Sequence, residues 1–236
     1  MTSSDQYIVV RTQERALFRI PLDLVERSIH VGIESLNDRG MLEKSHVCLT
    51  AVPRGSLTST FTYIYEVVRK NGWSILPLGG SVDSRDISQL SNAYNVDTLV
   101  VSVDVIESIF TADFVGQFDT VRHLLYVSGV PSQKILDNIK SRFPHFNVAP
   151  FVYYSEIVGL IGLPIKGHEN TGFTAIEGVH LEVETQGGEV TDNGSGNILA
   201  SALGHERLTR RNTGYKGTLA IEDGKQIVRF DGSVTK

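Results

Sequence analysis

The run DTLVVSVDVIESIF, residues 97–110, passes from an uninterrupted apolar segment directly into a helical pattern. A strand with apolar residues on both faces is typical of a parallel sheet that is covered by helices. The helix that follows at once can supply such a cover. This stretch therefore predicts one strand–helix unit of an α/β protein.

The same succession of strand and helix occurs on both sides of this unit. Helical spacing of apolar residues predicts helices opened by Pro21, around Phe61, over Ser84–Tyr94 with Ser84 as N-cap, and over Pro131–Phe143. Short apolar runs predict strands at His46–Val52, Ser74–Leu78 and His123–Ser128. Because strands and helices alternate repeatedly, we expect a parallel sheet with right-handed crossovers.

From about Gly167 the pattern changes to alternation of apolar and polar residues, which is typical of antiparallel strands. The alternating segments are Gly172–Glu184, Gly196–Ala202, Gly217–Glu222 and Gln226–Phe230. Gly-containing pairs such as Asp223-Gly224 separate them as turns. We therefore predict an α/β domain over residues 1–166, a parallel sheet with helices, and a C-terminal antiparallel β subdomain over residues 167–236.

Composition excludes several classes of protein. The chain has 236 residues, 41% of them apolar, and a formal net charge of −5 without a Lys/Arg block, so nucleic acid is not an expected partner. No apolar run reaches the roughly 18 residues of a membrane helix, and the N-terminus lacks the pattern of a signal peptide. These features predict a cytoplasmic protein without a membrane partner.

Common catalytic motifs are absent from the sequence. It contains no Gly-x-Ser-x-Gly, no phosphate-binding Gly-x-x-x-x-Gly-Lys, and no pair of histidines with the spacing of a helical metal site. The single cysteine, Cys48, lies in an apolar strand, where a core position is favoured over a nucleophile.

Four segments, taken in order, resemble adenylate-forming enzymes of the ANL superfamily, specifically the phenylacetate–CoA ligase-like branch. They are LLYVSGVP (124–131), VAPFVYYSEIVGLIG (148–162), RLTRRNTGYKGTL (207–219) and IEDGKQIVRFDGS (221–233). The resemblance implies an α/β core with a β subdomain. It also implies ATP-dependent activation of a carboxylic acid, with ATP or AMP and Mg²⁺ as cofactors.

The resemblance assigns roles to residues of the Tyr-Tyr-Ser-Glu segment. Glu156 matches the metal-binding glutamate, and Ser155 matches the hydroxyl that meets the α-phosphate. Tyr153 or Tyr154 lies where an aromatic ring packs against adenine. The residues by themselves also allow a strand end with packed tyrosines and a solvated glutamate.

The turn that the resemblance places beside the adenine consists of Ser128, Gly129, Val130 and Pro131. An ordinary turn between a strand and a helix, with proline at the first helical position, explains these residues equally well.

The ribose segment departs from the family pattern. Tyr215 replaces the aspartate of the family, and a neutral phenol cannot hydrogen-bond two ribose hydroxyls as a carboxylate does. Arg211 matches the arginine of the family and is a candidate catalytic residue, although Arg207, Arg210 and Arg211 could also form a charged turn.

The ends of the sequence depart as well. Thr2-Ser3-Ser4 begins like the phosphate loop of the family, but this chain continues with Asp5-Gln6 where the family has Thr/Ser-Thr-Gly. At the hinge, Ser233 stands where the family has an arginine. No residue matches the lysine of the mobile C-terminal domain. The resemblance therefore implies a truncated, diverged relative that begins at the phosphate loop and stops at the hinge.

Two functions remain open on this basis. One is a protein that binds a carboxylic acid or its adenylate in a biosynthetic pathway, with adenylation weakened or dependent on a partner protein. The other is a non-catalytic binding protein or a scaffold reused for another acyl reaction. The branch suggests an aromatic acid and a homodimer, and it places Phe61 and Tyr65 near the acid, although core packing also explains them.

Overall fold

The structure is a computed structural model that describes residues 7–11, 17–40, 46–52, 59–78, 83–111, 116–127, 129–155, 157–166, 168, 170–205 and 208–230. Within these ranges no helix is both long and apolar enough to cross a bilayer.

The described chain begins with an antiparallel hairpin, β1 (Tyr7–Arg11) and β2 (Leu17–Pro21). Helices and strands then alternate: α1 (Leu22–Asp38), β3 (Val47–Ala51), α2 (Ser59–Lys70), β4 (Ser74–Leu78), α3 (Ser84–Ala93), β5 (Thr98–Ser102), α4 (Val103–Ile109), β6 (His123–Val127), α5 (Gln133–Arg142) and β7 (Asn147–Pro150). The alternation predicted from the sequence is confirmed.

Three predicted helix starts differ from the structure. Pro21 ends β2 and precedes α1 instead of opening it. The N-cap of α3 is Asp83, whose carboxylate accepts from the Arg85 amide, and not Ser84. Helix α5 follows Ser132, so Pro131 lies before it in the turn. Asp83 competes well for the cap because its carboxylate carries a charge that the helix dipole favours.

Strands β3 to β7 form a five-stranded parallel sheet with the order β4-β3-β5-β6-β7. Helices cover both of its faces. Leu99 and Val101 face a core formed with α3, α4 and α5, and Cys48 and Val100 face a core formed with α1 and α2. Cys48 is buried, and burial together with the charge of Asp97 raises the pKa of its thiol, which disfavours the nucleophilic thiolate.

The rest of the described chain forms an eight-stranded antiparallel sheet. Its strands are β8 (Tyr153–Ser155), β9 (Gly159–Pro164), β10 (Gly172–Ala175), β11 (Val179–Glu184), β12 (Val190–Thr191), β13 (Gly194–Ala202), β14 (Arg211–Glu222) and β15 (Lys225–Arg229). The spatial order is β12-β11-β13-β14-β15-β10-β9-β8. Asp223 and Gly224, both at positive φ, join β14 to β15 as the Asp-Gly pair predicts.

The two sheets meet at β8 and β9. Tyr154 and Leu160 pack into the core that α1 and α2 make with the parallel sheet, whereas Tyr153 and Ile161 pack inside the antiparallel sheet. The predicted fold class, a parallel-sheet α/β body with a C-terminal antiparallel β subdomain, is confirmed. The predicted boundary at 166/167 falls between β9 and β10, which are neighbours in the antiparallel sheet, and it stays a prediction.

Candidate functional site

The order of the parallel sheet creates a crevice between β3 and β5. The chain passes from β3 to β4 on one side and then returns to place β5 on the other side. In open α/β sheets, ligands bind outside the carboxyl ends of the strands at such a reversal. The ends of β3 and β5 are therefore the first place to look for a site.

Two buried hydroxyls flank this reversal. Thr50, near the end of β3, is 1% exposed, and Ser102, the last residue of β5, is 2% exposed. Side chains alternate along a strand, so both hydroxyls lie on the face that carries Cys48 and Val100. Neither oxygen has a hydrogen-bond partner among the described residues. Since buried polar groups are normally paired, these two hydroxyls are candidates for binding a ligand or a water.

The turn after β6 lies beside this crevice. Gly129 has φ of +134°, and a Cβ on it would lie 3.5 Å from the side chain of Val103, the residue that follows Ser102. Val130 is half-buried against the core of the antiparallel sheet, and Pro131 is buried. Ser128, the first residue of the predicted turn, lies outside the described residues.

The two tyrosines of β8 point in opposite directions. Tyr154 packs on Tyr63 of α2, with ring centroids 4.9 Å apart. Tyr153 is completely buried and stacks on Phe173 at 4.7 Å. The predicted contact with adenine would therefore involve one of two rings that already pack against protein.

Ser155 follows these tyrosines and is 2% exposed. Its Oγ accepts from the amides of Ile157 and Val158, each at 3.4 Å. The hydroxyl therefore stabilises the turn at Ile157 and Val158. Glu156 itself, the predicted metal ligand, lies outside the described residues.

Tyr215 of β14 meets the same aromatic cluster. Its ring centroid lies 5.6 Å from that of Tyr153, 5.8 Å from that of Phe173 and 5.9 Å from that of Phe230. Only 3% of the residue is exposed. The four rings form one continuous aromatic group, which we call the aromatic cluster: Tyr153, Phe173, Tyr215 and Phe230.

The phenol oxygen of Tyr215 points toward the backbone of Gly129 and Tyr154. Burial raises the pKa of Tyr215 to about 12, and the backbone groups of these two residues offset part of the rise. The oxygen nevertheless makes no hydrogen bond of good geometry with any described residue. The structure thus brings together parts of three segments that the resemblance places around a nucleotide, with the Tyr215 phenol facing the backbone of the other two.

Arg211 is the first residue of β14, opposite Ala200 of β13. Phe61 and Tyr65 stack on each other on α2 at 6.3 Å and remain half-buried. Tyr63, which lies between them in sequence, is 1% exposed and is the aromatic residue of this helix that contacts Tyr154. Burial raises its pKa further above the ordinary tyrosine range.

Arg39, the residue that follows α1, was not predicted as a functional residue. Its Nη1 and Nη2 donate to the carbonyls of Pro150 and Phe151, both at 2.8 Å, and its Nε donates to Ser35 at 3.1 Å. Arg39 therefore fixes the backbone between β7 and β8, directly before Tyr153. No local pattern could have revealed it, because the partners are more than a hundred residues away.

No protein-family model matches the sequence, and no curated protein matches it significantly. Solved structures do match in fold. The structure of 2-hydroxyisobutyryl-CoA ligase in complex with 2-HIB-AMP and CoA has a TM-score of 0.68 and 12% identity, over 98% of this chain and 57% of that chain.

Two further structures match the fold of this chain with slightly lower TM-scores. O-succinylbenzoate coenzyme A synthetase (MenE) from Bacillus subtilis, in complex with ATP and magnesium ion, has a TM-score of 0.64 and 12% identity, over 98% of this chain and 50% of that chain. The N-terminal domain of FACL13 from Mycobacterium tuberculosis has a TM-score of 0.62 and 11% identity, over 97% of this chain and 61% of that chain.

The chain thus spans between 50% and 61% of the length of these three structures. Identities of 11–12% establish a shared fold and leave the activity of this chain to be argued from its own residues. The chain shares the fold of these three structures, an α/β core joined to an antiparallel β subdomain.

Proposed function

We propose that the protein is a diverged relative of the adenylate-forming enzymes, of the phenylacetate–CoA ligase-like branch, that binds a small carboxylic acid without adenylating it. One observation carries the proposal: Tyr215 is buried, and its phenol oxygen faces backbone groups of both Gly129 and Tyr154. The resemblance assigns this place to the nucleoside of ATP.

The residues present do not fit ATP at this place. A nucleoside between Gly129 and Tyr154 requires the Tyr215 ring to leave the aromatic cluster. Removing a large aromatic ring from a core costs about 3–5 kcal/mol. That cost would weaken nucleotide binding by about 10²- to 10⁴-fold.

The hydrogen-bonding capacity of Tyr215 also disfavours the binding of ATP. An aspartate can accept two charged hydrogen bonds from a ribose, each of which contributes about 1.5–3 kcal/mol. Tyr215 offers one neutral hydroxyl, which is buried. The proposal therefore contains no step that uses ATP or Mg²⁺, and it leaves Glu156 without a catalytic role.

The acid-binding half of the proposal rests on Thr50 and Ser102. Their hydroxyls are buried and lack partners among the described residues, and Ser102 does not use its hydroxyl to cap α4. Hydroxyls can donate to a carboxylate, and charge-assisted hydrogen bonds of this kind are strong. The resemblance also places Phe61 and Tyr65 near the acid.

The proposal is tested by isothermal titration with AMP, ATP and a panel of aliphatic and aromatic carboxylates. We expect a carboxylate to bind and the nucleotides not to bind. Thr50→Val and Ser102→Ala should each lower the affinity for the carboxylate by about 10-fold. This factor corresponds to the loss of one charged hydrogen bond of roughly 1.5 kcal/mol. Ser108→Ala, whose hydroxyl already donates to Val105, is the matched control.

The role of Tyr215 is tested separately. Tyr215→Asp supplies both space and a carboxylate, so it should gain AMP binding, whereas Tyr215→Phe should not. Carboxylate-dependent pyrophosphate exchange by the wild-type chain, lost in Glu156→Ala, would overturn the proposal in favour of an active ligase. Failure of every acid to bind would overturn the acid-binding half alone.

A further inference from the structure

A cluster of three ligand-type side chains lies on the antiparallel sheet, on strands that the proposed acid site does not use. It consists of His180 and Glu182 on β11 and Asp192 directly after β12. One donor atom from each residue lies within 4.8 Å of the others. We propose that these three residues bind a divalent transition-metal ion such as Zn²⁺ or Co²⁺.

The strands hold the three side chains together. His180 and Glu182 are two residues apart, so they lie on the same face of β11. Strand β12 pairs Thr191 with Val183 and Val190 with Glu184, and this register brings Asp192 opposite Glu182. Sites on strands are more precise than sites on mobile loops.

The separations fit a small metal ion. His180 Nε2 lies 3.3 Å from Asp192 Oδ1. Two ligands at zinc bond lengths of about 2.0–2.2 Å, at a tetrahedral angle, are themselves about 3.3–3.6 Å apart. The His and Asp atoms therefore need no movement to share an ion, and Glu182 needs only to turn toward it.

The donor set selects the class of metal. One imidazole nitrogen and two carboxylates suit Zn²⁺, Co²⁺, Ni²⁺ or Mn²⁺, whereas Ca²⁺ and Mg²⁺ prefer oxygen ligands alone. Three protein ligands leave at least one coordination position for water, as in open zinc sites.

The guanidinium of Arg210 binds the Glu182 carboxylate and would compete with a metal ion for it. Its Nε lies 3.1 Å from Oε1 and 3.0 Å from Oε2 of Glu182, and its Nη2 donates to Oε1 at 2.9 Å. The Glu182 side chain is only 10% exposed, whereas that of Arg210 is 59% exposed. The guanidinium can therefore swing into solvent when a divalent ion replaces it beside Glu182 and Asp192.

The backbone of Arg210 supports this arrangement. Arg210 has φ of 50°, and its amide donates to Ser201 Oγ at 2.8 Å. Ser201 lies opposite His180 in the β11–β13 pairing. The main chain of Arg210 is thus anchored beside the three proposed ligands. Its exposed side chain can still move away from Glu182 when a metal ion binds.

The test is titration of the full chain with Zn²⁺ by calorimetry and with Co²⁺ by visible absorption. We expect one ion per chain. Loss of a direct ligand in His180→Asn or Asp192→Asn should weaken Zn²⁺ binding at least as much as loss of a residue that only hydrogen-bonds a metal ligand, which typically costs about 10- to 100-fold. Asp192 is 67% exposed at its side chain, so its variant should fold even if the His180 variant does not.

His205→Asn is the matched control, because His205 lies 3.9 Å from Asp23 without belonging to the cluster. Arg210→Gln should tighten binding by removing the competing cation. Absence of saturable binding, equal loss of binding in His205→Asn, or weaker binding in Arg210→Gln would each overturn the inference.

Discussion

The side chain of Gln226 hydrogen-bonds both backbone groups of Leu181. Its Oε1 accepts from the Leu181 amide at 2.8 Å, and its Nε2 donates to the Leu181 carbonyl at 2.7 Å. Strand β12 pairs with β11 at Val183 and Glu184, so among the residues that the structure describes no strand neighbours β11 on this edge at Leu181. Gln226, which belongs to β15, therefore connects two strands that are not neighbours in the sheet and helps to close it.

Gln226→Ala should lower the free energy of unfolding by about 2–4 kcal/mol, because it leaves a buried donor and a buried acceptor unpaired. Gln133→Ala is the control, since the Gln133 amide donates only to Asp137 on the surface of α5. Denaturant unfolding of both variants measures the difference. Equal stability of the two variants would show that water replaces Gln226 without cost.

Arg39→Met should destabilise the protein by about 2–4 kcal/mol, since hydrogen bonds from a charged donor to two buried carbonyls are lost. Arg39→Lys should recover part of this loss, because an ammonium can reach one carbonyl but not both in the guanidinium geometry. The control is Arg69→Met, which breaks only a surface pair with Glu66 and should leave the denaturation midpoint unchanged.

If Arg39 also positions the β7–β8 segment, Arg39→Lys should weaken acid binding more than its loss of stability explains. Titration with a carboxylate from the proposed panel that binds the wild type, at a temperature where the variant remains folded, measures this effect. Unchanged affinity in a folded Arg39→Lys protein would restrict the residue to a purely stabilising role.

The amino end of the parallel sheet is sensitive to acid through His123. Burial first, and then the neighbouring His46, lowers the pKa of His123, whereas Asp97 raises it. Its Nδ1 is buried without a hydrogen-bond partner among the described residues. The unfolded chain therefore binds a proton at this residue near the ordinary histidine pKa of about 6.5, before the folded protein does.

The free energy of unfolding should therefore fall as the pH drops below about 6.5, until the folded protein also binds the proton. His123→Gln should lose less stability than the wild type between pH 7.5 and pH 5.5, whereas His168→Gln, at an exposed loop position, should follow the wild type. Identical pH profiles for all three proteins would contradict the prediction.

Much of the fold was predictable because its signals are local. The apolar run at 98–102 and the helical spacing after Pro21 need no knowledge of distant residues, and both elements are present. The start of α3 was harder to predict from the sequence. Asp83 and Ser84 are both good N-cap residues, and only the hydrogen bond in the structure distinguishes them.

The site was harder to predict, because its residues come from distant segments. The resemblance suggests that Tyr215 stands where the family has an aspartate, but the burial of Tyr215 depends on Tyr153, Phe173 and Phe230, which meet it only in the folded sheet. Thr50 and Ser102 look like ordinary strand residues until the order of the sheet is known. The roles of Ser128, Glu156 and Arg211 stay predictions.

The proposed metal ligands were missed for a different reason. A search for histidine pairs on helices cannot find His180 and Glu182, which share a face because they lie two apart on a strand. An alternating His-x-Glu in a predicted strand was the available signal. Asp192 joins them through the pairing of β11 with β12, and single-sequence patterns do not reveal that register.

The hydroxyl and the ring of Tyr215 should contribute to stability in opposite ways. Its oxygen has no well-formed hydrogen bond, so Tyr215→Phe removes an unpaired polar group and should leave the free energy of unfolding unchanged or raise it by up to about 1 kcal/mol. Tyr126→Phe is the matched comparison, because the Tyr126 hydroxyl donates to Asn170 at 2.6 Å. That variant should lose about 0.5–1.5 kcal/mol. Denaturant unfolding of both variants decides the question, and a larger loss in Tyr215→Phe than in Tyr126→Phe would show that the Tyr215 phenol is bound through a water or through residues outside the described ranges.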